Sequence, residues 1–492
     1  MSDQRREPAR RALERVAAFG RGVTDREWRA IAGEVGLESP SSLVDALVSR
    51  GLVQLRDDGW RFVHGLLGES LERGAREEGR WQAHHAGCVR ILEELADDST
   101  PGVARRLAEH VIASGDRWEG LAYLLRAARQ SLQAAEYEQT REYLGRHRQL
   151  LEDFDGPDAE RADVQSQIIG AELLGNAGET GRGLERAEEA VERAEREGWT
   201  DVLGDALRLR ASLRREHGRL DDAFEDAQRA LEAFRTSGDE EGIARTYYIL
   251  GRIEQVRGHT RTAEQHYVEA LTWFDQQGNR SMKALVTCDI GYIFITREDW
   301  TRARRALKVS LTISQEIGNG KIAAKCWNRL GEVARFERDW SKARECYRQA
   351  ERLFQAPRNQ HVTNLNLAFV ELADGHYSEA ESVLVLLERS FASTGIHYPQ
   401  VMLGLACCSA AAEEWESWDE RFGAAVASLR DSKMAHPDLP WLAEQNARLA
   451  LEAAEDERTR RACAMAAHQW GMLGELAKEE EMKEKLEELP VD

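Results

Sequence analysis

The chain is poor in proline, with 9 in 492 residues, and it lacks any long apolar run. Nothing approaches the roughly 18 consecutive apolar residues that a membrane-spanning helix needs. The opening stretch MSDQRREPARR has no apolar core, so it is not expected to act as a secretory signal. Cysteine is scarce: 7 residues, an odd number without framework spacing, point to reduced thiols in a cytosol rather than a disulfide scaffold. Lysine is absent before Lys283 while arginine is abundant, a bias that reads as GC-rich, bacterial coding. No Gly-rich phosphate-binding loop ending in Lys-Ser/Thr occurs, and no HExxH, nucleophile elbow or kinase signature. The expectation is a cytoplasmic protein that is not an enzyme, with no cofactor, no metal and no membrane association.

What is present is charge and periodicity. Hydrophobic residues at 42% and charged residues at 31% suit a folded helical chain. A net charge of −20 argues against indiscriminate binding to nucleic acid or anionic lipid. Between about Gly198 and Tyr377 one pattern returns every 40 residues. Glycine recurs at Gly198, Gly238, Gly278 and Gly318, and a small residue at Ala211, Gly251, Gly291 and Gly331. Alanine recurs at Ala223, Ala263, Ala303 and Ala343. Apolar residues between them keep helical spacing (Leu250, Ile253, Val256; Tyr267, Leu271, Phe274), with breakers such as Gly258 and Gly278 between helices. A fixed period of this size marks a solenoid of helix–turn–helix units.

The segments LGRIEQVRGHTRTAEQHYVEAL, IGYIFITREDWTRARRALKVSL and LGEVARFERDWSKARECYRQAE align without a gap. They resemble the tetratricopeptide repeat, whose usual unit is about 34 residues. The longer period and the Gly238-Asp239, Gly278-Asn279 and Gly318-Asn319 steps are most similar to the subclass of kinesin light chains and spindle-orientation adaptors. The resemblance implies an all-α, right-handed α–α superhelix with helix A of each unit lining a concave groove.

The N-terminal part reads differently. ALERVAAFGRG (12–22) predicts a helix stopped by glycine, followed by a helix capped at Thr24 with Glu27 at the capping-box position. SPSSLVDALVSRGLV predicts a third helix, and VQLRDDGWRFVH a hairpin around Asp57-Asp58-Gly59. Helices closed by a hairpin suggest a small winged-helix module. Trp60, Phe62 and His64 then match the WxFxH wing strand of the module that follows the nucleotide-binding domain in bacterial signal-transduction ATPases, which the segment resembles. The expected organisation is a winged-helix-like module (1–80), linker helices with a degenerate repeat (81–160), regular repeats (161–397), and degenerate repeats with a C-terminal cap (398–492). DGPDAE (155–160) is expected to be a longer inter-helix loop.

Few residues suggest chemistry. His84 and His85 are adjacent on a helix, so they point about 100° apart and do not chelate together; with Cys88 they are expected on a helix surface. Cys407 and Cys408 lie in an apolar helix and are expected as small buried hydrophobes. For duplex binding, the candidate recognition helix SSLVDALVSR offers only Arg50 and carries Asp45. Residues 1–80 balance 14 arginines against 14 acidic residues, which favours a protein-packing winged helix over a DNA-binding one.

The resemblance to tetratricopeptide repeats points instead to inward-facing positions of helix A. Carried over in register, these are Asp205, Arg208 and Arg215; Arg245, Tyr248 and Arg252; Asp289 and Tyr292; and Lys325, Asn328, Glu332 and Arg335. Their cations and aromatics suggest a partner-binding groove for an acidic protein or peptide segment, gripped by arginine–carboxylate forks. The expected function is a protein-interaction scaffold or sensor arm in bacterial signalling, with a separately encoded ATPase or kinase as one partner. A winged-helix transcription regulator with a repeat sensor is the alternative, and an enzyme with an unrecognised site the less favoured one.

Overall fold

A computed structural model describes residues 3–20, 22–95, 102–353, 357–391, 395–430 and 434–489. The chain forms two compact units, Met1–Ile169 and Gly170–Asp492.

The first unit begins with α1 (Asp3–Phe19), β1 (Gly22–Thr24), α2 (Asp25–Glu34), α3 (Pro40–Ser49), β2 (Val53–Arg56) and β3 (Gly59–Phe62). The strands make an antiparallel sheet in the order β1-β3-β2. The expected hairpin is formed, with Leu55 opposite Trp60 and Arg56 opposite Gly59. The capping box is also formed: Thr24 Oγ1 accepts from Glu27 N at 3.2 Å, and Glu27 Oε2 accepts from Thr24 N at 2.8 Å. The first helix differs from expectation. It starts near Asp3 and ends at Phe19, because Gly20 takes φ +113°. Trp28 and Trp60 meet edge to face at 5.2 Å in a core with Ile31, Leu47, Val53 and Phe62.

Helices α4 (Gly65–Glu77), α5 (Trp81–Leu95), α6 (Val103–Ser114), α7 (Arg117–Gln133) and α8 (Tyr137–Leu151) complete this unit with the start of α9 (Pro157–Asn176). Ile91 of α5 belongs to the same core as the strands. The loop expected over 155–160 is shorter, because Pro157 opens α9; proline is well suited to a first helical position, where no N–H is needed.

The second unit continues with α10 (Thr180–Glu197), α11 (Thr200–Glu216), α12 (Leu220–Ser237), α13 (Glu240–Val256), α14 (Thr260–Gln276), α15 (Arg280–Thr296), α16 (Trp300–Glu316) and α17 (Gly320–Phe336). It ends with α18 (Trp340–Leu353), α19 (Pro357–Ala373), α20 (Tyr377–Ser390), α21 (Tyr398–Ala411), α22 (Trp415–Leu429), α23 (Asp438–Glu452), α24 (Asp456–Leu473) and α25 (Leu476–Glu488). This is the expected all-α, tetratricopeptide-like solenoid.

Its cadence is set by backbone sterics. A residue in the left-handed region recurs every 20 positions: Gly178, Gly198, Gly218, Gly238, Gly258, Gly278, Glu298, Gly318 and Arg338. Each ends a helix by turning the next N–H back onto a carbonyl left over from the last turn, as His259 N donates to Glu254 O at 2.9 Å. After the turn, Asp239, Asn279 and Asn319 cap the next helix by accepting from Gly242 N, Met282 N and Ile322 N at 2.9–3.1 Å. This explains the Gly-Asp and Gly-Asn steps. The small residues set the helix spacing: a Cβ on Gly251 or Gly331 would come within 2.6 Å of the Tyr267 or Tyr347 ring.

Glu298 and Arg338 occupy left-handed positions that favour glycine, at φ 57° and 61°. Relief of that strain, partly offset by the freer unfolded chain, should make Arg338→Gly more stable by about 0.5–1 kcal/mol. Urea unfolding checks this; an unchanged or lowered midpoint contradicts it.

Candidate functional site

Within the second unit, successive first helices pack on one another, α11 on α13, α15 on α17, α17 on α19 and α19 on α21. Comparable packing between successive second helices is not developed among the described residues. The first helices therefore lie on the inside of the curve, and their free faces form its inner surface. The 40-residue period brings equivalent residues of neighbouring repeats side by side there.

The predicted residues separate into two groups. Arg208, Arg245, Arg252 and Lys325 keep side-chain exposures of 19%, 27%, 30% and 25%. Arg215, Tyr248, Tyr292, Asn328 and Arg335 are buried. Cations this far from water need partners.

Those partners form a ladder from repeat to repeat. Tyr248 Oη donates to Asp289 Oδ2 at 2.8 Å, and Lys325 Nζ meets Asp289 Oδ1 at 2.6 Å. Burial alone would raise the Asp289 carboxyl, but Lys325, Arg252 and Arg329 outweigh it and hold it below its ordinary range. Arg329 donates to both Glu332 oxygens at 2.9 and 2.8 Å and lies 3.7 Å over the Tyr292 ring. Asn328 Nδ2 donates to Glu332 Oε1 at 3.0 Å. Arg252 sits 5.8 Å over Tyr248, with Glu216 at 3.6 Å, and Arg208 pairs with Asp205 at 3.0 Å. Arg245 pairs along its own helix with Glu241, and Arg215 with Glu216.

The far part of the inner surface is filled by the chain itself. Arg335 pairs with Asp438 and lies between Phe336, Trp441 and Phe369, at 4.5, 5.4 and 5.6 Å from the ring centres. Ala435 N donates to Val256 O at 2.7 Å, and Ile396 N to Glu216 O at 3.3 Å. The His436 ring packs on Tyr292 at 5.8 Å, and Lys478 pairs with Glu298. Arg335 is thus a structural residue of a C-terminal return. The accessible inner surface is the part carrying Arg208, Arg252 and Lys325.

Sequence reasoning missed Arg329, although it lies 40 residues after Asp289 in the same register. It also missed His436 and Asp438, which lie where the period has decayed and gives no signal. The helix-surface expectation for His84 and His85 is corrected, since both are buried. His84 Nε2 meets Glu14 Oε2 and His85 Nδ1 meets His110 Nδ1, each at 2.9 Å, so long-range packing gives each ring one partner. Cys407 and Cys408 are buried, and burial pushes the Cys408 thiol up to about 12. Glu371, Asp374 and His376 could together approach a cation, but Arg344 already binds both carboxylates, at 2.9 and 2.6 Å. On α3 the exposed face presents Ser41, Ser42, Asp45, Val48 and Ser49, with no basic side chain. Among the described residues no helix is long and apolar enough to cross a membrane.

The repeats have a counterpart among known families. Residues 203–275, spanning α11 to α14, match the tetratricopeptide repeat family. No curated protein matches the sequence. The fold is similar to that of a Rap protein solved in complex with competence and sporulation factor, with a TM-score of 0.55 and 13% identity over 73% of this chain and 99% of that one. It is also similar to NprR in complex with its cognate peptide NprX, with a TM-score of 0.50 and 13% identity over 70% of this chain and 96% of that one. A third similar structure is a signal transduction ATPase with numerous domains that carries a tetratricopeptide repeat sensor, from Pyrococcus horikoshii. There the TM-score is 0.51 and the identity 15%, over 92% of this chain but 65% of that one.

Two outcomes follow from the C-terminal return. Asp438→Asn strands the Arg335 charge and should cost about 3–5 kcal/mol, whereas Arg335→Leu with Asp438→Leu should recover much of the loss. Denaturant unfolding of the three variants checks this, and equal losses in single and double variants contradict it. Burial also pushes His436 down to about 4 from 6.5, against the pull of Asp438. The unfolded chain therefore binds the extra proton between those values, so stability present above pH 6.5 falls as pH drops toward 4, by about 3 kcal/mol from this group. Melting temperature against pH should show that slope, and His436→Gln should flatten it.

Proposed function

We propose that the chain is a non-enzymatic binding arm whose inner repeat surface engages an extended segment of a partner protein or a peptide. The observation that carries this reading is the accessible stretch bearing Arg208, Arg252 and Lys325, next to a surface already used to hold an irregular segment of the chain. Around Ala435 that segment is bound as a peptide would be, by a backbone hydrogen bond to Val256 O, an aromatic contact on Tyr292 and an ion pair at Arg335. The Rap and NprR structures, which hold competence and sporulation factor and a cognate peptide, support the same use of this fold.

The order α1, β1, α2, α3, β2, β3 supports the winged-helix reading of the N-terminal part. The absence of basic side chains on the exposed face of α3 favours protein packing there over duplex binding. In this reading the chain is a cytoplasmic signalling component of bacterial type whose catalytic partner, an ATPase or kinase, is a separate protein.

Selection from a displayed random heptapeptide library tests the proposal. Wild type should enrich a defined set of peptides. A chemically synthesised member should bind Arg208→Glu/Arg252→Glu at least tenfold more weakly, by fluorescence anisotropy. No enrichment, or equal binding by wild type and the double variant, sinks the reading.

A further inference from the structure

The crevice between the two helices of a repeat is filled differently along the solenoid. In α13–α14 it holds a stacked pair, Tyr247 on His266, with ring centres 5.8 Å apart and planes at 26°. The 40-residue period carries the Tyr247 position to Leu207 in α11, Thr287 in α15 and Trp327 in α17, so only α15 has a small residue there. Leu207 is buried, and Trp327 packs against a core shared by α15, α16 and α17. The next repeat is shorter. The left-handed turn residues Arg338 and Gly375 lie 37 residues apart, as do the buried alanines Ala343 and Ala380. In that register Asn364 of α19 takes the place of Tyr247 and Trp327, and Val383 of α20 that of His266.

With smaller side chains at both positions, a cleft of about 340 Å³ runs between α19 and α20. His361, Asn364 and Leu367 line it from α19, and Val383, Leu386 and Leu387 from α20. Leu387 is buried beneath it, while Leu386 at its lip is 65% exposed, apolar surface that gains by being covered. At one end the His361 ring meets the edge of Phe391, with centres 6.0 Å apart. Burial pushes His361 down from its ordinary range, so this ring is neutral. Neither His361 nor Asn364 has a side-chain hydrogen bond, which leaves the Asn364 amide with donors and an acceptor to spare. None of these six side chains is charged at neutral pH, in contrast to the inner surface around Arg208 and Arg252.

We infer that the α19–α20 cleft is a docking site for one aromatic side chain, tryptophan or tyrosine, presented by a segment of a partner protein. The protein itself shows the occupant, because aromatic rings hold the equivalent position in α13 and α17. The uncharged lining matches a ring and not an acidic or basic side chain. The ring lies over Leu367 and Leu387, and its polar edge, an indole N–H or a phenol O–H, bonds to the Asn364 amide. This site is separate from the inner surface of the peptide-binding reading.

Selection from a displayed heptapeptide library with tryptophan fixed at the centre tests the inference. Wild type should enrich defined flanking residues, and a synthetic member should bind it by fluorescence anisotropy. Asn364→Trp, which fills the cleft from within, should weaken that binding at least tenfold, and so should Leu386→Glu at the exposed lip. Both variants should melt within a few degrees of wild type. Replacing the central tryptophan by alanine should abolish binding, whereas tyrosine should retain it. Arg208→Glu/Arg252→Glu should bind the peptide as wild type does. A peptide lost by that double variant but kept by Asn364→Trp and Leu386→Glu sits on the inner surface, which overturns the cleft and leaves the other reading standing. No enrichment, or free indole competing as strongly as the peptide, overturns it as well.

Discussion

A left-handed backbone residue every 20 positions is the constraint on which the second unit depends. It fixes helix length at 17 or 18 residues from α10 to α17, so equivalent side chains return in the same orientation. Small residues then let paired helices approach, with Tyr267 and Tyr347 packed against bare glycine backbone. Without a constant turn, the inner-face residues of neighbouring repeats would drift out of register and the ladder through Asp289 could not form. Strain is accepted at Glu298 and Arg338 to keep the cadence where glycine is missing.

Given that register, the inner surface is governed by desolvation. Charges on a concave face lose water from several sides, and each one retained needs an opposite charge or a hydrogen-bond donor. The chain meets this by alternation: Tyr248 and Lys325 on Asp289, Arg329 and Asn328 on Glu332, Arg335 on Asp438. Arg208, Arg245 and Arg329 are answered by acids of their own helix, and Lys325, Arg252 and Arg335 by acids of another.

The C-terminal return gives the inner surface two characters. Around Arg335 and Tyr292 it is a closed polar core, sealed by Asp438, His436 and Trp441. Around Arg208 and Arg252 it is still partly open to water. The partly open inner surface is thus confined to one stretch of the repeats.

Local chemistry made much of this legible. The period, the glycine turns, the Thr24–Glu27 capping box and the hairpin around Asp57-Asp58 depend on residues close in sequence, so the sequence by itself determined them. Only tertiary structure decided which inner-surface residues stay open, because burial depends on segments outside the periodic pattern. Asp438 and His436 carry no repeat signal, and nothing local marks them as partners of Arg335 and Tyr292. The same holds for His84 and His85, whose rings meet Glu14 and His110. Pairing at such distances is set by the accumulated curvature of the stacked helices, which no single repeat encodes.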